Sequence, residues 1–170
     1  MRVSARSRLM PAVALACGLF ASSAAASEFR DAQFGFSLAP PRFGAPAEGT
    51  SLVRLVVTGP PDGGFSPSVN VTVQETRTTR EAFVRLSESQ FQEAGLKLHS
   101  KENRTVSGRP AVLLDYEGSI SGPRLRFLAL AVILPDRVLL ATCTGLASTY
   151  PSLEPSFRQS LDSFKLTPSP

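Results

Sequence analysis

Two apolar runs near the C-terminal end constrain this chain most. Leu125 to Leu134 and Val138 to Leu146 are almost continuously apolar, and only Pro135-Asp136-Arg137 separates them. A three-residue turn leaves no room for a crossover, so the two runs pair as an antiparallel hairpin. Strands without polar alternation are covered on both faces, which places this hairpin centrally in a sheet. Any fold for the chain must therefore supply a layer on each side of that sheet.

The rest of the sequence offers such layers. Phe34, Phe36 and Leu38 alternate with Gly35 and Ser37 in strand fashion, and Ala39-Pro40-Pro41 ends that strand. Arg42 to Thr50 reads as a loop, and Leu52 to Thr58 as a second strand. Gly59 to Pro67 holds the run Gly59-Pro60-Pro61-Asp62-Gly63-Gly64, dense in turn residues. In Val69 to Thr76, valines at 69, 71 and 73 alternate with Asn70, Thr72 and Gln74, which predicts a half-buried strand.

A helix follows. Thr78 is placed to cap it, Glu81 completes a capping box, and Gly95 is placed to stop it. Phe83, Leu86 and Phe91 form its expected apolar stripe. Leu96 to Val106 reads as a polar edge strand, and Ala111 to Tyr116 as the strand before the apolar hairpin. A second helix spans about Tyr150 to Ser163, with Leu153, Phe157, Leu161 and Phe164 on one face and Pro151 and Pro155 in or near its first turn. Thr167 to Pro170 forms a frayed tail. The predicted class is α+β: a single, mainly antiparallel sheet with a helix on each face.

The N-terminus has the layout of a secretory signal peptide. Arg2, Arg6 and Arg8 precede an apolar stretch of about 12 residues, Leu9 to Phe20, and small residues run to Ala24-Ala25-Ala26. A membrane-spanning helix needs roughly 20 apolar residues. The expectation is cleavage near Ala26, one domain over 27–166, and a periplasmic or secreted location. Ala14-Leu15-Ala16-Cys17 loosely resembles a lipobox, so Cys17 is the candidate for lipid anchoring and the only route to a membrane. Removing three arginines from a total of 18 leaves 15 basic residues against 14 acidic, a net of +1. No basic cluster survives to bind nucleic acid. One cysteine, Cys143, remains after cleavage, and it cannot form an intramolecular disulfide.

Several short motifs carry a resemblance to a known family. They are Phe34-Gly35-Phe36-Ser37-Leu38-Ala39-Pro40, then Gly108-Arg109-Pro110-Ala111 opening the strand that ends Asp115-Tyr116, then the apolar hairpin, and a closing helix ending Leu161-Asp162-Ser163-Phe164. The chain resembles the PsbP/Mog-type α/β/α domain, whose bacterial exported members include DcrB-like lipoproteins. The resemblance covers roughly Glu28 to Leu166. Many members carry a Trp after the first strand's proline; here Phe43 takes that place. The resemblance implies a non-enzymatic accessory or binding role and transfers no set of functional residues.

The residues themselves offer little chemistry. His99 is the only imidazole, on a strand read as polar and solvent-facing. Cys143 lies in an apolar strand, the wrong setting for a low-pKa nucleophile. Asp115 and Glu117 share one face of a strand, expected to point toward solvent, and Arg124 and Arg126 share a face of the next. Cross-strand ion pairs between them are one reading, and an anion patch at Arg124 and Arg126 is the other. The turn residues Asp62, Gly63, Gly64 and Phe65 are the candidate partner contact, because binding residues concentrate on loops. No cofactor or metal motif is present. The expected partner is a protein of the cell envelope; the alternative is a small molecule or lipid held between sheet and helix near Phe83, Phe91 and Phe157.

Overall fold

The computed structural model describes residues 28–43, 47–48, 52–120 and 122–168. The leader, its Ala26 cleavage point and Cys17 lie outside the described residues. The main sheet has seven antiparallel strands: β3 (Ala47–Glu48), β4 (Val53–Thr58), β5 (Ser68–Gln74), β6 (Lys97–Val106), β7 (Arg109–Ser119), β8 (Arg124–Ile133) and β9 (Val138–Leu146). Their order is β3-β4-β5-β9-β8-β7-β6. The apolar hairpin is β8 and β9, with Ile133 opposite Val138 and Leu125 opposite Leu146. β9 is the middle strand, and β6 is an edge, as its polarity requires.

Alternation along β7 and β8 divides the core in two. Leu113, Leu128, Leu130 and Val132 face one side, and Val112, Leu114, Ala131 and Ile133 face the other. The first side is covered by α2 (Tyr150–Asp162), which buries Tyr150, Phe157 and Leu161. A small second sheet lies on the same side, made of β1 (Phe29–Asp31), β2 (Phe36–Leu38) and β10 (Lys165–Leu166) in the order β1-β2-β10. Phe36 of β2 stacks on Phe164 just past α2, with ring centroids 5.4 Å apart. Phe43 meets Phe157 edge-on at 6.0 Å, so the residue after the strand's proline does pack into this core.

The second side is covered by α1 (Arg80–Glu93), which lies across β6 and β7. Its N-cap is Thr79 and not Thr78: the Thr79 hydroxyl accepts from the Ala82 N–H at 3.2 Å, while Thr78 Oγ1 donates to the Thr79 carbonyl. The stripe also differs from the one expected. Phe83, Val84 and Phe91 pack on the sheet with Ser87 buried between them, and Leu86 is 58% exposed. At roughly 100° per residue, positions 83, 84, 87 and 91 share one face, and Leu86 lies well off it.

Three further departures are local. β1 and β3 are short strands where no strand was expected. Pro155 lies inside α2. The chain beyond α2 is tied down at first: Lys165 and Leu166 pair with Ser37 and Phe36, and the Thr167 N–H donates to the Gly35 carbonyl at 2.8 Å.

Candidate functional site

The turn residues fold into a closed hairpin and not an open loop. Asp62 and Phe65 exchange both backbone hydrogen bonds, at 2.9 and 3.0 Å. Gly63 and Gly64 take φ of +56° and +81°. Positive φ at both central positions is the turn whose twist matches a right-twisted ribbon, and it explains the Gly-Gly pair. Below, the Gly59 N–H donates to the Pro67 carbonyl at 2.8 Å and closes the base of the excursion.

This hairpin forms one wall of a pocket of about 170 Å³. Phe43, Pro60, Phe65 and Pro67 line one part, and Leu146 with Leu153 lines the other. Thr149 and Ser152 of the α2 N-terminus add hydroxyls, and among the described residues Asp62 is the one ionisable residue in the lining. Thr149 makes no side-chain capping bond; its carbonyl instead accepts from the Ser152 hydroxyl at 2.7 Å. Wider grooves elsewhere, such as the one of about 430 Å³ beside the start of α1, are lined by several charged residues, including Arg80, Glu81 and Arg109. The 170 Å³ pocket combines apolar walls with a single charge.

The other residues singled out from the sequence serve the framework. Asp115 does not point to solvent: it is 4% exposed, on the α2 side of the sheet. Arg126 binds it with two hydrogen bonds, Nε to Oδ1 at 2.9 Å and Nη2 to Oδ2 at 2.8 Å, and lies 5.0 Å over the Tyr150 ring. The Asp115 hydrogen bond holds the Arg126 guanidinium above its usual pKa. Arg124 is bonded to Glu117, and His99 Nε2 lies 3.4 Å from the same carboxylate. Burial pushes the Glu117 carboxyl up, but Arg124, His99 and Arg126 together outweigh it and leave it below the usual carboxylate range. Both arginines of the candidate anion patch thus pair with carboxylates, with the Arg124 side chain still 69% exposed. The ion pairs are diagonal, because Glu117 is the register partner of Arg126 and Ser119 that of Arg124.

Cys143 is fully buried, and burial pushes its thiol well above the usual range. Phe83 and Phe91 lie on the α1 side and Phe157 on the α2 side, so the sheet separates the aromatic residues once expected to line one pocket. Phe91 stacks instead on Tyr116 at 4.2 Å, and Tyr116 on Phe127 at 4.8 Å. Among the described residues, no group of three His, Cys, Asp or Glu side chains could hold a metal ion. None of the helices there is long and apolar enough to cross a membrane. The roles of Phe43, Leu146 and Leu153 in the pocket were not read from the sequence. Three segments distant along the chain converge there, and no local pattern signals that.

No family model matches the chain. Over 85 residues it is 29% identical to the effector EagT6 of Pseudomonas aeruginosa, a match covering 50% of this chain and 59% of that protein. The match thus spans less than two thirds of that relative's length. Solved structures align over far more of the chain. LpqN, involved in cell envelope biogenesis of Mycobacterium tuberculosis, aligns with a TM-score of 0.66 at 14% identity, covering 84% of this chain and 90% of that one. Cyanobacterial PsbP (CyanoP) of Synechocystis sp. PCC 6803 aligns at 0.63 and 13%, covering 86% and 95%. The Pseudomonas aeruginosa protein of unknown function PA94 aligns at 0.57 and 22%, covering 85% and 97%. With its seven-stranded antiparallel sheet between two helices, this chain has the PsbP-like fold.

Proposed function

We propose that this chain is an exported, non-enzymatic accessory domain of the cell envelope, cleaved near Ala26 or lipid-anchored at Cys17, and that it works by binding another protein. The observation that carries this reading is the closed Asp62–Phe65 hairpin over an apolar pocket. It gives the surface a formed recess, whereas Asp115 and Glu117 are engaged in ion pairs, His99 lies 3.4 Å from the Glu117 carboxylate, and Cys143 is buried in the core. The envelope role described for LpqN supports the same reading by analogy of fold.

Pocket size favours a protein partner over a lipid or other small molecule. Small-molecule sites enclose about 300–1,000 Å³. A cavity of about 150 Å³ accepts one benzene. At about 170 Å³ the recess is sized for a single side chain. The test is recovery of partners from envelope extract on the tagged full chain, with intact-mass analysis of the exported protein. A mass starting at Ser27 supports soluble export, and one starting at a lipid-modified Cys17 supports anchoring. Replacing both Gly63 and Gly64 by valine should abolish recovery while leaving the circular dichroism spectrum unchanged. Undiminished recovery would end the assignment of the hairpin.

A further inference from the structure

From the charge and size of the recess, we infer that it receives one Phe or Leu side chain of a partner peptide whose neighbouring residue is basic. The inference rests on the protein-binding reading above and adds its chemistry. Phe65, Leu146, Leu153 and Phe43 supply apolar walls around a space of about one ring. The Asp62 carboxylate belongs to this lining, is exposed, and makes no ion pair among the described residues. Among the described residues no Lys or Arg lines the pocket to offset it. By contrast, Asp31 is paired with Arg54 and Asp115 with Arg126. An unpaired carboxylate beside an apolar recess complements an apolar group next to a cation and repels one next to an anion. A closed hairpin presents this combination with little ordering left to lose on binding.

The test uses the full chain with ¹³C-labelled leucine methyls, titrated with N-acetyl-Phe-Lys-amide and, separately, N-acetyl-Phe-Glu-amide. The Leu146 and Leu153 methyl resonances should move saturably with the Lys probe, which should bind two- to five-fold more tightly than the Glu probe, as expected for an exposed ion pair. Asp62→Asn should erase that preference and leave the rest of the spectrum in place. Equal binding of both probes, or no shift at Leu146 and Leu153, overturns the inference. So does phenethylamine binding as tightly as the dipeptide, which would mark a small amine as the ligand. Movement of the same methyls with protein concentration alone would mark a second copy of the chain and overturn it as well. Probe preference without any partner in the extract refutes only the protein-partner reading. A recovered partner that is indifferent to Asp62→Asn, with no probe preference, refutes only the pocket chemistry.

Discussion

Removing either member of the Asp115–Arg126 pair should destabilise the fold, and the two removals should cost different amounts. The Asp115 side chain is 6% exposed and that of Arg126 is 27% exposed. Replacing Arg126 by Met strands a carboxylate that water scarcely reaches, and breaking a buried pair in this way costs about 3–5 kcal/mol. Partial exposure of the guanidinium argues for the lower end, about 3 kcal/mol. Replacing Asp115 by Asn strands a guanidinium that still touches solvent and still lies 5.0 Å over the Tyr150 ring. That loss is closer to one charge-assisted hydrogen bond, about 1.5–2 kcal/mol. Urea unfolding followed by circular dichroism measures both. With m about 2 kcal/mol/M, Arg126→Met should lower the midpoint by about 1.5 M and Asp115→Asn by about half as much. The double variant should lie above the sum of the singles, because it strands no charge. An Asp115→Asn loss equal to or larger than that of Arg126→Met would refute the argument from exposure.

Other consequences are simpler to state. Cys143 should resist thiol reagents in the native state and react fully in urea, since burial raises its pKa and blocks access; rapid native labelling would contradict its placement. Gly118→Ala should destabilise by about 1–3 kcal/mol, read by the same urea midpoint, because the added Cβ would sit 2.4 Å from Leu96 Cδ2 and 3.3 Å from the Leu96 Cα. The two tyrosines should remain un-ionised by absorbance at 295 nm until the protein unfolds in base, since burial pushes Tyr116 up to about 12 and Tyr150 higher still. The sign is that of a folded pKa raised above the unfolded one. Tyr116 therefore stabilises fully below about pH 10, and that contribution is lost between about pH 10 and 12.

The hairpin of β8 and β9 was legible because its signal is local: two apolar runs and a short turn dictate both pairing and central position. The polar edge strand and the closing helix were legible for the same reason, each being written in one continuous periodicity. What escaped depends on contacts between distant segments. Asp115 alternates as a solvent-facing residue should, and only α2 with its Tyr150, about thirty-five residues on, turns that face into interior. β10 is two residues long and has no strand signature; it exists because Phe164 stacks on Phe36 and carries the chain past β2. Leu86 lost its place in the α1 stripe to Val84 by helical phase, a distinction that apolar spacing of three leaves ambiguous. The Asp62–Phe65 turn was read as a contact from composition, but its pocket was not, since Phe43 and Leu153 arrive from a loop and a helix far apart in sequence.

Stability and recognition should therefore separate in this molecule. Asp62 is exposed and its side chain has no partner among the described residues, so Asp62→Asn should change the unfolding free energy by no more than about 0.5 kcal/mol, the range of surface substitutions. Arg126 and Asp115 lie where α2 meets the sheet and bear on stability. Their replacement should lower the unfolding free energy and leave the preference for a basic probe intact wherever the fold persists. If Asp62→Asn instead lowered stability by as much as Arg126→Met, the carboxylate would have a structural partner. The recess would then lose the one uncompensated charge that distinguishes it from an ordinary gap between a hairpin and a helix.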